Sequence, residues 1–232
     1  MNLLGIRNLT RDKSGISDVN VVSNAKISGF INIAQDKLAT IIVNINEDFF
    51  EEQKSLFNLA LNSALYSTPT DMLKFKQLRL AYTDPSSQKD YKIASGYDPT
   101  EIDDVSSQEE SISTTNPIVD ITNNYMRIKP TPTVAVTDGG QIYYISRPSA
   151  MATTGAVSVI PVEYHDIMAT YAAKEITKAK RMWDIYRVLK GEYKEEVKLM
   201  SNQLGARELD RPLRFKNPLE GGARSNFSEL GN

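Results

Sequence analysis

His165 stands beside Asp166, the only imidazole–carboxylate adjacency in the chain. Such a pair can act as a general base and the group that orients it. Consecutive residues on a helix point in diverging directions, however. His165 is therefore expected at the surface or at an interface, not in a dyad. Asp98, Glu101, Asp103 and Asp104 could coordinate calcium, but they lack the spaced ligands and central glycine of an EF-hand loop and read as a solvated acidic stretch. Asp138-Gly139-Gly140 has the glycines of a phosphate cradle. No helix or Gly-Lys-Ser/Thr follows it, which excludes a P-loop and leaves a hairpin turn. The sequence contains no GxSxG, HExxH or CxxC element. With no cysteine and a single histidine, thiolate catalysis, cysteine-based metal sites and most Ser–His or multi-His sites are excluded. A hydrolase working through carboxylates alone stays open, although no acidic pair stands out. The expectation is no catalytic residue, no metal and no cofactor.

Four zones would position these residues. Residues 1–54 form a helical segment. Its main helix runs from Asn24 to Asn46, where Phe30, Ile31, Ala34, Leu38, Ile41, Ile42 and Ile45 recur at spacings of three and four. Asn24 or Ser28 could cap it, and a short, weakly periodic helix could precede it within Asn8–Val22. Residues 55–160 form a β-rich insert. Phe57, Leu59 and Leu61 alternate with polar or small residues, Asn62-Ser63 reads as a turn, and Pro69 marks a rigid corner. Leu73 and Phe75 share one phase and Leu78, Leu80 and Tyr82 the other, which requires a bulge or bend between them. Further strand signals lie at Tyr91–Tyr97 and Tyr125–Lys129. Residues 98–120 carry seven acids and no Lys or Arg, and read as an exposed loop. Val134–Val136 and Ile142–Ile145 are expected to flank the Asp138-Gly139-Gly140 hairpin. Residues 161–200 are a long C-terminal helix, about 58 Å if continuous, or a helix pair. Gly191 is the candidate kink, and no strong turn dipeptide divides the run. Residues 201–232 are an extended tail. The fold class is α+β, with a helical core from both ends of the chain and a β-rich subdomain between.

Two groups of side chains suit binding. Tyr164, Tyr171, Tyr186 and Tyr193 ride the last helical zone with Trp183, which fits a helix core with hydroxyls at its rim and also a subunit interface. In the tail, Arg207, Leu209, Arg211, Leu213, Arg214 and Phe215 interleave cations with apolar anchors, a composition suited to docking on a partner.

Composition narrows the function further. The 232 residues include 27 Lys+Arg and 29 Asp+Glu, a net charge of −2, which argues against a chain whose main task is to wrap nucleic acid. No apolar run approaches a membrane span. Met1–Arg11 has no apolar core followed by a cleavage site, so no signal peptide is expected.

Three stretches together resemble a known family. Phe30-Ile31-Asn32-Ile33-Ala34-Gln35-Asp36 is similar to the I-N-x-A helix of phage head–tail connector adaptors, the head-completion or gatekeeper proteins that include tail tubular protein A. Tyr66-Ser67-Thr68-Pro69-Thr70-Asp71-Met72 is similar to that family's Y-x-L-P-x-D corner, with Thr68 in place of leucine. Ile160-Pro161-Val162-Glu163-Tyr164, followed by Tyr171-Ala172-Ala173, is similar to the start of its last helices. The resemblance implies a structural protein of the virion neck, assembled in the host cytoplasm. It implies a ring of about twelve copies under the portal protein, closed by heterologous contacts. Such a ring extends the channel for genomic DNA without sequence-specific binding and docks the tail nozzle or tube. The tail residues named above would contact the portal or a neighbouring subunit. Another tail-completion protein and a carboxylate-dependent cell-wall hydrolase are the alternative readings.

Overall fold

A computed structural model of the chain describes residues 1–83, 89–96, 112–122 and 124–209. Helix α1 (Leu3–Ser14) starts where the Asn2 side chain accepts the Gly5 amide at 2.9 Å, and it stops at Gly15, whose φ of 69° is the left-handed cap. The weak periodicity had placed a helix later, within Asn8–Val22. The buried stripe Leu3, Ile6, Thr10 and Ser14 shows why it was hard to read, since two of its four members are polar. Helix α2 (Asn24–Ile45) is capped by Ser23, which accepts the Lys26 amide; neither Asn24 nor Ser28 caps it.

The seven strands are β1 (Glu52–Leu59), β2 (Leu65–Ser67), β3 (Met72–Leu80), β4 (Lys92–Gly96), β5 (Ile118–Thr122), β6 (Tyr125–Lys129) and β7 (Val136–Ser146). They form one sheet in the order β1-β7-β3-β4-β5-β6-β2, antiparallel except where β4 meets β5. The sheet curls until its two edges face each other. The Phe57 and Tyr66 rings lie 5.2 Å apart, and the Tyr66 hydroxyl accepts the Ala60 amide at 3.0 Å and donates to the Ser63 carbonyl at 2.9 Å. Leu59, Leu78, Leu80, Met126, Ile128, Val136 and Ile142 fill the interior. The phase switch in β3 is a real irregularity, because its register against β7 shifts between Phe75 and Gln77. The acidic residues 98–111 lie outside the described residues, and residues 118–120, expected in that loop, belong to β5.

Asp138-Gly139-Gly140 is not a hairpin. It lies inside one continuous strand, β7, paired to β1 on one side and to β3 on the other. Between Phe57↔Gly140 and Leu59↔Val136, β1 advances two residues and β7 four, so β7 bulges, with Asp138 at φ 50°. Gly140 is needed for close approach: a Cβ there would come within 2.1 Å of the Phe57 ring. The dipeptide rule assumes that positive φ reverses the chain, but here strands on both flanks hold the chain straight.

After a 3₁₀ turn at Val162–Tyr164, the C-terminal run is a helix pair, α3 (His165–Ala179) and α4 (Trp183–Leu209). The break is at Arg181, φ 60°, with the Met182 amide donating back to the Thr177 carbonyl at 2.9 Å. This is a Schellman-type stop built without glycine or proline, so no sequence signal divides the run. Gly191 lies within α4. Residues 201–209, expected in the tail, continue α4, and Leu204 is buried. A second core, distinct from that of the sheet, is formed by α1, α2, α3 and α4 around Ile6, Ile31, Leu38, Met168, Ala172 and Met200.

Candidate functional site

The only cluster of three potential metal-ligating side chains found among the described residues, Asp166, Glu192 and Glu196, lies across α3 and α4 and meets Lys13 of α1. The Lys13 ammonium donates to Glu192 at 2.6 Å and to Asp166 at 3.1 Å, and lies 3.7 Å from Glu196. The three carboxylates each present an oxygen within 4.8 Å of the others. Burial works against the Lys13 charge, but the hydrogen bonds to Glu192 and Asp166 outweigh it and raise its pKa. Burial pushes Glu196 up to about 7, against the pull of Lys13 and of the Thr170 hydroxyl. Three acids around one lysine thus hold a proton near neutrality. The trio has the chemistry to ligate a divalent cation, but the ammonium already fills that role. The cluster fastens α1 to the helix pair. Sequence reading missed it because Lys13 comes from the weakly periodic segment; the two spacings of four, Asp166–Thr170 and Glu192–Glu196, were its only trace.

His165 is buried within the chain at 1% exposure, not at the surface or interface position expected of it. Its Nε2 lies 2.7 Å from the Ile160 carbonyl, and burial lowers its pKa. The two neighbours diverge as the helix geometry requires: Asp166 turns to Lys13 while His165 turns inward. Of the aromatic residues, Tyr164 and Tyr171 sit in the core, and the Tyr171 hydroxyl accepts from Lys37 at 2.8 Å. Trp183 is 52% exposed.

Two of the three stretches singled out in the sequence supply side chains that act as pins. Asn32 grips Met151 through both of its amide atoms, accepting the Met151 amide at 3.0 Å and donating to its carbonyl at 3.4 Å. Gln35, 2% exposed, donates to the Ser149 carbonyl at 2.9 Å and accepts the Ser158 hydroxyl at 2.6 Å. Asp71 accepts the Tyr144 hydroxyl at 3.1 Å. Asn32 and Gln35 tie α2 to the segment that leaves the sheet and enters α3, and Asp71 ties the corner before β3 to β7. Of the expected partner-binding residues, Arg207 and Leu209 fall in the last turn of α4; Arg211, Leu213, Arg214 and Phe215 lie outside the described residues.

With this architecture in view, the chain was compared with known proteins, and the family model described as SU10 adaptor protein matches residues 1–215. The chain belongs to this adaptor family. It is a phage head–tail adaptor family, as the three stretches had suggested. A search of curated proteins found no match. The adaptor is thus a phage structural protein, and the match spans both the helical unit and the sheet. No helix among the described residues is long and apolar enough to cross a membrane.

Proposed function

We propose that this adaptor assembles as a ring of about twelve copies beneath the portal protein, extends the channel through which genomic DNA passes, and presents a docking surface to the tail nozzle or tube. The family match over residues 1–215 carries this reading. The net charge of −2 supports a conduit that does not grip phosphates. The adaptor works by assembly, without catalysis: the carboxylate trio found among the described residues is closed by Lys13, whereas a carboxylate hydrolase leaves space between its two acids for substrate or water.

Portal or neighbour contact is assigned to Arg207, Leu209, Arg211, Leu213, Arg214 and Phe215. Native mass spectrometry of the chain with the portal protein of the same phage tests both parts. Addition of about twelve copies to the portal ring is expected. A well-folded chain that never binds the portal would refute the ring and favour a tail-side component. Deleting residues 210–232 leaves α4 intact and should abolish portal binding. Full binding by that truncated chain would remove the tail from the proposal.

A further inference from the structure

The outward side of α4 carries two rows of opposite character. Arg187, Lys190, Lys194 and Lys198 recur at spacings of three and four and form one exposed stripe, headed by Trp183. Roughly a third of a turn away lies a second exposed stripe, with the acids Asp184 and Glu195 alternating with Val188 and Leu199. Val188 and Leu199 are 69% and 60% exposed. Among the described residues, none of these six charged groups has an ion pair within 4.0 Å, although Glu192 and Glu196, one turn apart on the same helix, are tied to Lys13. The two stripes also share a spacing. Asp184 and Glu195 are eleven residues apart, as are Arg187 and Lys198, about 17 Å along the axis in each case.

A surface that pairs unmatched cations with unmatched anions at one repeat is complementary to a copy of itself, shifted sideways. We propose that α4 is the contact between neighbouring subunits: the basic stripe of one copy lies against the acidic and apolar stripe of the next. The inference rests on the ring reading and adds to it the two faces that meet. The contact is heterologous, as a closed ring requires, because each copy gives one stripe and receives the other. Parallel α4 helices offset by about one turn would set Arg187 against Asp184 and Lys198 against Glu195, with Val188 and Leu199 covered between them. Such pairs choose partner and register more than they add affinity, and they weaken as salt screens them.

Two charge-reversed chains test this, each altered only at exposed positions. One carries Arg187→Glu and Lys198→Glu; the other carries Asp184→Lys and Glu195→Lys. Each alone should keep the wild-type circular dichroism and melting temperature, yet lose the ring in native mass spectrometry, with and without the portal. Mixed, they should recover it, with the two chains in equal numbers by mass. A single chain carrying all four changes should also recover it. Wild-type-like rings from either reversed chain would overturn the proposal. Rings lost and not recovered on mixing would also overturn it, because the basic stripe then meets something other than a second copy. Intact rings with lost retention of double-stranded DNA, or with lost portal capture, would assign the stripe to those partners and refute the contact. Failure of the wild-type chain itself to form a ring on the portal would fall on the ring reading, a separate result.

Discussion

Replacing Lys13 with methionine should show how much of the helical unit depends on one ammonium. The side chain is 16% exposed and serves three acids, of which Glu196 is 19% exposed. Removing one partner of a buried ion pair costs about 3–5 kcal/mol, chiefly because the other charge stays behind. Asp166 and Glu192 are 49% and 38% exposed and can turn toward water, so about 2–3 kcal/mol is expected at pH 8. The cost should depend on pH. Glu196 has a folded value of about 7, above the unfolded one, so the folded state holds the extra proton. Its favourable contribution is present at low pH and is lost as pH rises from about 4.5 through 7. Without Lys13 that carboxyl moves higher still, and the penalty of the substitution grows between pH 5.5 and pH 8. Urea unfolding of Lys13→Met and wild type at the two pH values measures both quantities. A loss under ~0.5 kcal/mol, or one equal at the two pH values, would mean that water screens the cluster and that it fastens nothing.

Further outcomes follow from the same geometry. Glu196→Gln mimics the protonated acid, so by urea titration it should gain about 1–3 kcal/mol at pH 8 and little at pH 5; a loss at both would show that the ionised form is the stabilising one. Gly140→Ala drives a methyl into the Phe57 ring and should cost about 1–3 kcal/mol, and Phe57→Leu in the same chain should return part of that. Additive effects in that double-mutant cycle would place the ring elsewhere. At Arg181, glycine should raise stability by roughly 0.5–1 kcal/mol and valine should lower it. The order of melting temperatures decides the matter, and valine above glycine would exclude the left-handed backbone.

Much of the fold was legible because periodicity reports burial directly. Helix α2, the bulge in β3 and the last helical zone all showed in the spacing of apolar residues. What stayed hidden were features set by tertiary context. The stop at Arg181 is made by backbone hydrogen bonds that no residue type announces. Gly140 of β7 answers to a ring 83 residues earlier (Phe57), not to a turn. At the site, the stretches that suggested the family were visible, but their work as pins was not. Asn32 and Gln35 read as polar residues on a helix until the buried segment they hold was in view. The Lys13 cluster draws on three helices and so has no local signature.

The sheet has one thin place. Among the described residues, strands β4 and β5 are joined by two register pairs, Ser95↔Ile118 and Gly96↔Val119, while β1 and β3 lie along most of β7. That seam divides the sheet into one lobe of β1, β7, β3 and β4 and another of β5, β6 and β2; at the opposite side residues 60–64 link β1 to β2, and the Tyr66 hydroxyl bridges the turn. The curled sheet is therefore a clamshell, with a covalent hinge at one end and a short latch at the other. Releasing the latch separates Met126 and Ile128 from Leu78 and Leu80 across the shared interior. Local opening follows the weakest seam, so amide exchange at Ser95 and Val119 reports the rate at which the two lobes part, ahead of any unfolding of the helices.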